Sequence, residues 1–149
     1  DYNQPNEALK NGEIDVNAFQ HIYFLNNWNK ENKGDVVAAA DTLLSPIHLF
    51  SGTENGKAKY KDVKELPDGA TISVPNDGTN ESRALTLLQT AGLIKLDVKD
   101  GELATIKNIS ENPKKLDIKE MQQLLITHTH NNKTLTMTQL SSKKIQAKI

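Results

Sequence analysis

The chain has 149 residues, no cysteine and a formal charge of −1, and 36% of its residues are hydrophobic. This length is typical of one ordinary domain. The absence of cysteine excludes disulfides and thiolate metal ligands, and the near-zero charge excludes an electrostatic hold on nucleic acid over the whole chain. No apolar run approaches the roughly 18 residues that a membrane-spanning helix needs.

The first part of the chain predicts two helices followed by short strands. Pro in the first turn and Gly as the stop predict a helix over residues 4–12. Rings at helical spacing predict a second helix over residues 19–28. Short apolar runs predict strands, and a segment rich in Gly, Lys and Asn predicts a surface loop. The predicted strands are 14–16, 36–40 and 46–50, and the loop is 51–59.

The middle of the chain alternates between strands and helices, which favours an α/β fold. A helical turn at 61–66 precedes a strand at 70–74 and a polar loop at 75–80. The helix predicted over residues 80–91 has one apolar face and ends before Gly92. That face is formed by Ala84, Leu85, Leu88 and Ala91. Further strands are predicted at 93–98 and 116–118.

The last part of the chain differs in composition from the rest. From Met121 onward there are four lysines and no acidic residue, and threonines alternate with little apolar sequence between them. Apart from a short apolar patch at 124–126, such a segment has little surface to bury. We therefore expect this tail to be disordered or to form a loose edge hairpin.

The loop at residues 75–83 is a candidate binding site. Open α/β sheets bind ligands where the carboxyl end of a strand meets a helix N-terminus, and backbone N–H groups at about residues 80–82 can receive an anion. Arg83 falls in the first turn of the predicted helix, where a cation is disfavoured unless it binds a carboxylate. The pattern alone favours another interpretation, a surface pair of Arg83 with Glu81 or Asp77.

A second candidate site lies in the predicted helix near the N-terminus. Its ring-bearing residues are too many for one helical face to bury. They are Phe19, His21, Tyr23, Phe24 and Trp28. Some of these rings could contact a ligand, with His21 as a hydrogen-bond donor. An aromatic stripe with a packed histidine is more often ordinary core, and the pattern alone favours that interpretation.

Histidines suggest a metal site as the alternative. His128 and His130 would lie on the same face of a strand and could share a zinc ion, with His48 as a third candidate. No carboxylate lies near the pair in sequence, so a polar tail is the favoured interpretation. The chain contains no nucleophile elbow, phosphate loop or dinucleotide glycine pattern. The alternative function is a small metal-dependent hydrolase or a structural module that uses these histidines.

Several segments together resemble the NlpA family of methionine-binding lipoproteins, which deliver substrate to ABC importers. The two longest matching segments are GEIDVNAFQH at 12–21 and PNDGTNESRAL at 75–85. Shorter ones are QPNEAL at 4–9, ELPDGA at 65–70 and ENPK at 111–114. The resemblance covers roughly residues 1–120 and favours both candidate binding sites over the alternatives.

The resemblance implies an α/β fold of the type II periplasmic-binding-protein class, with two lobes and incomplete in this chain. We expect residues 1–69 to be the remainder of the first lobe, 70–120 to be part of the second, and 121–149 to be an atypical tail. The family's first strand–helix–strand unit is expected before residue 2, so the chain is expected to be a fragment that lacks it.

The resemblance also implies the residues of a ligand site. Tyr2, Phe19 and His21 would line the pocket for the ligand's side chain. Phe24 falls where family members often carry Tyr, so we expect a pocket hydroxyl to be lost there. Arg83 would hold the ligand's carboxylate, beside the helix N-terminus at Asn80. No catalytic residue, metal or cofactor is implied.

The function implied by the resemblance is a substrate-binding lipoprotein, without catalysis, that binds methionine or a related amino acid between its two lobes for uptake. Its partners would be the permease and ATPase of an ABC transporter, and nucleic acid would not be one. Its location would be the outer face of the cell membrane, where the family is held by a lipid on a cysteine that this chain does not contain.

The tail departs from the family's pattern. Family members carry a strand and ligand-binding asparagines in this region, and neither is found after Met121. We hypothesise that the tail is read out of register. One permitted back-translation of residues 133–140, shifted by one nucleotide, yields Asn-Val-Asp-His-Asp-Ala-Ile, which is nearer the family's strand. The nucleotide sequence of the gene tests this hypothesis.

Overall fold

The computed structural model describes residues 2–43 and 46–121, and the backbone of a strand at 134–139. The chain divides into two compact units, an N-terminal unit of residues 1–43 and a C-terminal unit of residues 44–149. The lobe boundaries that we placed at residues 69 and 120 stay a prediction. No helix among the described residues is long and apolar enough to cross a membrane.

The N-terminal unit contains two helices, α1 (Gln4–Lys10) and α2 (Ile22–Asn32). Both helices were predicted, but α2 begins three residues later than expected because His21 is its N-cap. Lys33 ends α2 in the left-handed conformation, with φ 49°. Leu25 and Trp28 of α2 are buried, so part of the predicted aromatic stripe is core.

Gly34 is required by its close approach to Trp28. A Cβ atom at this position would overlap the Trp28 ring and would lie 2.7 Å from Asn29 Oδ1. We expect Gly34→Ala to lower the free energy of unfolding by about 1–3 kcal/mol, because the buried ring has to move. Chemical denaturation monitored by the fluorescence of Trp28 measures this change.

Gly78→Ala is the matched control for Gly34→Ala. A Cβ atom at Gly78 would meet Leu103 Cδ1 at 3.8 Å, an ordinary van der Waals distance. We expect this control to leave stability within about 0.5 kcal/mol of the original chain. Equal effects of the two substitutions would contradict the close packing of Gly34 on the indole.

Two predicted strands of the N-terminal unit are wrong. Residues 14–16 and 36–40 have no strand assignment, and Val16 and Val37 are 77% and 80% exposed. A strand exists only where a neighbouring strand accepts and donates its hydrogen bonds. Neither segment has such a neighbour among the residues that the structure describes, although its apolar composition matches a strand.

The C-terminal unit is built on a four-stranded sheet. Its strands, in the order in which they lie in the sheet, are β1 (Ile47–Phe50), β8 (Thr134–Gln139), β4 (Thr71–Pro75) and β7 (Asp117–Met121). Strand β4 runs parallel to both of its neighbours, β7 and β8, whereas β1 pairs antiparallel with β8. The predicted strands at 46–50, 70–74 and 116–118 are thus confirmed within a few residues.

Strand β8 corrects part of the expectation for the tail. Residues 134–139 lie between two strands of the sheet, where we expected disorder or a loose edge hairpin. Their alternating threonines are β-branched, which suits a strand once neighbours on both sides supply hydrogen bonds. Residues 122–133 and 140–149 of the tail lie outside the described residues.

Helix α3 (Gly78–Thr90) packs its apolar face on β4. Ala84, Leu85 and Leu88 are fully buried, as are Ile72 and Val74 on the strand. The predicted apolar face of this helix is therefore confirmed. The helix begins two residues earlier than expected because the side chain of Asp77 caps it, and this contact also shapes the candidate site.

Smaller elements complete the C-terminal unit. The predicted loop at 51–59 contains a hairpin of β2 (Thr53–Glu54) and β3 (Lys57–Ala58). A second pair joins β5 (Lys95–Leu96) to β6 (Ile109–Glu111). Two short 3-10 helices lie at Val63–Glu65, where a helical turn was predicted, and at Ile106–Asn108.

Candidate functional site

An aromatic cluster of Tyr2, Phe19, His21 and Phe24 lies in the N-terminal unit. The rings of Tyr2 and Phe19 are stacked with centroids 6.3 Å apart, and Phe24 approaches both rings at 6.0 and 6.2 Å. His21 meets Phe24 edge-on at 6.4 Å. Tyr2 and Phe19 remain 41% and 38% exposed, so the cluster presents ring surface rather than closing into a core.

His21 is fixed by its position as the N-cap of α2. Its Nδ1 atom accepts a hydrogen bond of 3.1 Å from the backbone N–H of Phe24. A neutral imidazole that accepts at Nδ1 carries its proton on Nε2. The cap therefore orients His21 as a hydrogen-bond donor through Nε2, next to the rings of the aromatic cluster.

A network of three carboxamides, which the sequence did not reveal, adjoins this cluster. Asn6 and Gln20 form a reciprocal pair, with Nδ2 to Oε1 at 2.8 Å and Nε2 to Oδ1 at 2.7 Å. Asn17 donates to Asn6 Oδ1 at 3.0 Å and to the backbone oxygen of Pro5 at 3.1 Å. We call these three side chains the carboxamide clasp. Asn and Gln are usually exposed, so only the fold identifies this partly buried network.

The second candidate site is the junction of β4 and α3 in the C-terminal unit. Asp77 caps the helix, and its Oδ1 atom accepts from the backbone and the side-chain amides of Asn80 at 3.0 and 2.9 Å. Asn80 Oδ1 in turn accepts a hydrogen bond of 2.8 Å from Arg83 Nη1. A chain of polar contacts thus connects the cap to the partly buried guanidinium.

The geometry of the junction corrects two expectations. The backbone N–H groups of Asn80 and Glu81 both donate to Asp77, so they are not open to an anion as we expected. Arg83 is the sixth residue of α3 rather than part of its first turn, because the helix begins at Gly78. The helix dipole acts within the first turn, so it has little effect on the charge of Arg83.

Arg83 is the single arginine among the 18 basic residues of the chain. Its guanidinium carries five N–H donors, and Nη1 donates to Asn80 Oδ1. This planar group binds a carboxylate with two parallel hydrogen bonds, which a lysine ammonium does not do. The junction therefore holds a guanidinium, a group that can bind a carboxylate.

The residues between Asn80 and Arg83 hold a neighbouring segment in place. Ser82 Oγ accepts a hydrogen bond from the Ala104 N–H at 2.9 Å, and Glu81 Oε1 accepts one from the Ile106 N–H at 3.0 Å. Glu81 is 5% exposed, and sequence reasoning assigned it only a surface role. Burial raises the pKa of the Glu81 carboxyl, and the adjacent Glu120 carboxyl raises it further, although the Ile106 N–H opposes both.

We expect this raised pKa to make the fold less stable as pH increases. Between the ordinary pKa of 4.5 and the raised folded value, the native chain binds more protons at Glu81 than the unfolded chain. Glu81→Gln keeps the acceptor for Ile106 and adds a donor toward Glu120. Its stability relative to the original chain should therefore increase as pH rises through that window, as urea denaturation at several pH values would show.

Glu102→Gln, on an exposed residue, is the control for that titration. This substitution removes an exposed carboxylate and leaves Glu81 in place. The free energy of unfolding should therefore change with pH as it does in the original chain. If Glu81→Gln also followed the original profile at every pH, a destabilising buried carboxylate at Glu81 would be contradicted.

A cavity of about 410 Å³ lies at the other end of α3 and includes none of the predicted site residues. Its rim carries an exposed ion pair between Lys95 and Glu111 at 2.6 Å. The residues that line it are Gln89, Gly92, Ile94, Lys95, Glu111 and Pro113.

The predicted metal site finds no support in the described part of the chain. No group of three His, Asp or Glu side chains there is placed to hold a metal ion. His48 lies on β1, opposite Thr138 of β8. His128 and His130 lie outside the described residues, so their shared zinc site stays a prediction.

The described helices and strands form an α/β fold. The sequence profile of NlpA lipoproteins matches residues 1–146, and the chain belongs to this family. The match extends past residue 120, where the resemblance of individual segments ends. The expected family and α/β fold are thus confirmed, while the out-of-register hypothesis for the tail stays a prediction.

Known relatives agree with this assignment. The chain is 45% identical over 122 residues to the D-methionine-binding lipoprotein MetQ of Escherichia coli K12, covering 82% of this chain and 43% of the relative. It is 44% identical over 129 residues to outer membrane lipoprotein 3 of Mannheimia haemolytica, covering 87% and 47%. The chain therefore spans about half the length of the curated relatives that it matches.

Solved structures give the same result. The substrate-binding protein of a methionine transporter from Streptococcus pneumoniae is similar with a TM-score of 0.87 and 54% identity, over 93% of this chain and 53% of that one. A nutrient-binding protein from Burkholderia cenocepacia, bound to methionine, is similar with a TM-score of 0.82 and 40% identity, over 95% and 57%. Both of these relatives are binding proteins by name.

Proposed function

We propose that this chain binds methionine, or a related amino acid, as the substrate-binding component of an ABC importer. The observation that supports this most strongly is Arg83, the chain's single arginine, which donates to Asn80 at the strand–helix junction of an NlpA lipoprotein. The relatives include a methionine-bound structure with 40% identity. The role is binding and release, without catalysis.

The aromatic cluster is the proposed subsite for the ligand's side chain. A thioether is polarisable and interacts favourably with aromatic rings, with sulfur about 5 Å from the ring. The exposed ring surface of Tyr2 and Phe19 suits this contact. His21 adds an Nε2 donor, which can point at the weakly accepting sulfur. Phe24 supports the rings but offers no hydroxyl.

The junction is the proposed subsite for the carboxylate. Arg83 supplies the positive charge and the paired donors, and Asn80 orients the guanidinium through its side-chain oxygen. Since Asp77 occupies the nearby backbone N–H groups, the guanidinium carries the recognition of the carboxylate. Asn80 is therefore proposed to act on the ligand through Arg83.

The proposed partners and location are based on the NlpA family. We propose that the permease and ATPase of an ABC transporter receive the ligand from this protein. A lipid anchor would hold the protein at the outer face of the cell membrane. Relatives named as lipoproteins support a membrane location. Pockets whose ligands differ by one methylene discriminate by only about 1–3 kcal/mol, so close analogues of methionine are also candidate ligands.

Isothermal titration calorimetry with L-methionine and, separately, with zinc chloride tests the proposed function. We expect a saturable heat of binding with L-methionine in the absence of any metal. Zinc-dependent folding without a response to amino acids would contradict the proposal and would favour the histidine-based alternative.

A further inference from the structure

The residues of the carboxamide clasp are close in sequence to Tyr2, Phe19 and His21 of the aromatic cluster. Asn6 is in α1, four residues after Tyr2, whereas Asn17 and Gln20 flank Phe19 and Gln20 precedes His21. Any movement of the 17–20 segment relative to α1 would therefore separate Tyr2 from Phe19. The clasp joins these two segments by side-chain hydrogen bonds.

The side-chain amides of Asn6 and Gln20 both donate and accept hydrogen bonds within the clasp. Asn6 is completely buried, and its Oδ1 atom accepts from both Gln20 and Asn17 while its Nδ2 atom donates to Gln20. Asn17 also donates to the Pro5 carbonyl at the start of α1. These hydrogen bonds favour one arrangement, since a slip would leave a donor or acceptor of the buried Asn6 without a partner.

The rings of Tyr2 and Phe19 are less enclosed than Asn6. Tyr2 and Phe19 are more than one-third exposed, and they contact each other at a centroid distance of 6.3 Å and Phe24 at 6.0 and 6.2 Å. Contacts between exposed rings fix the ring positions less firmly than hydrogen bonds to a buried amide do. Any ring that is not already in place has to be ordered when a ligand binds, which lowers affinity.

We propose that the carboxamide clasp is a positioning device, which holds Tyr2 and Phe19 in their stacked arrangement before the ligand arrives. Asn6, Asn17 and Gln20 act through the rings and do not touch the ligand. The inference rests on the proposed function, in which the aromatic cluster binds the ligand's side chain. It identifies three residues that determine affinity through preorganisation.

Gln20→Ala is the principal test, because Gln20 is only partly buried and its loss opens one side of the clasp. Nuclear Overhauser effects between the Tyr2 and Phe19 rings, measured without ligand, report the stack directly. We expect these effects to be lost while the resonances of Leu25 and Trp28 show that the unit remains folded. We also expect affinity for L-methionine to fall about tenfold.

Gln20→Glu provides a rescue that a merely structural role would not predict. At neutral pH the glutamate has no proton to donate to Asn6 Oδ1, so the ring contacts should weaken. At pH values below the ordinary glutamate pKa of about 4.3, the neutral acid can both donate to Asn6 Oδ1 and accept from Asn6 Nδ2, as the amide does. The ring contacts and the relative affinity should therefore recover as pH falls. Gln4→Ala, on an exposed glutamine of α1, is the matched control.

The outcomes separate this inference from the proposed function. If Gln20→Ala kept the ring contacts, or lost them with unchanged affinity for L-methionine, the positioning role would be overturned while the function stood. If the original chain did not bind L-methionine, the proposed function would fail, and the ring contacts alone would decide whether the clasp positions the rings.

Discussion

Arg83→Ala is expected to weaken the binding of L-methionine by about 3 kcal/mol, or roughly a hundredfold in the dissociation constant. The substitution removes the guanidinium that we propose for the carboxylate, and it leaves Asn80 Oδ1 without the donor it now has at 2.8 Å. The fold should be little affected, because Arg83 is outside the buried face of α3. Isothermal titration calorimetry measures the affinity.

Two further variants make this result specific. Arg83→Lys keeps the charge but loses the planar pair of donors, so its affinity should fall between those of the original chain and Arg83→Ala. Lys107→Ala removes an exposed cation from the same unit and should leave affinity unchanged. An equal loss from Lys107→Ala would indicate a general effect of charge and would contradict a direct contact by Arg83.

Leu85→Ala has the largest expected effect on stability. Leu85 is completely buried between α3 and the sheet, among Ile72, Val74 and Leu88. Its truncation removes apolar contacts and leaves a cavity, which lowers the free energy of unfolding by about 2–5 kcal/mol. Because α3 also carries Arg83, the loss of this packing should reduce the fraction of folded, binding-competent chain. Urea denaturation measures the change.

Leu103→Ala is the matched control for this core substitution. Leu103 is 41% exposed, so its truncation should change stability by no more than about 0.5–1 kcal/mol. Similar losses from the two leucines would contradict the placement of Leu85 in the core of the C-terminal unit.

Sequence periodicity was sufficient to predict the elements that depend on local pattern. Ala84, Leu85 and Leu88 recur at helical spacing, and the strand before them is a short apolar run between turn signals. Both elements are present within a few residues of their predicted bounds. Helix starts were less accurate, since side-chain caps at His21 and Asp77 determine them.

Pairing and burial were not predictable from pattern alone. Residues 36–40 look like a strand, but they have no neighbour among the described residues, whereas the threonine-rich segment at 134–139 has one on each side. The same reason applies to the sites. Arg83 and the aromatic cluster were identified by resemblance, but the carboxamide clasp and the buried Glu81 depend on contacts between residues distant in sequence.

The central claim, that Arg83 binds the carboxylate of methionine, is tested most directly by a cycle of two ligands and two proteins. L-methionine and L-methioninol, which has an alcohol in place of the carboxylate, are titrated into the original chain and into Arg83→Ala. The original chain should prefer L-methionine by about a hundredfold, and Arg83→Ala should bind the two ligands alike. An undiminished preference for L-methionine in Arg83→Ala would contradict the claim.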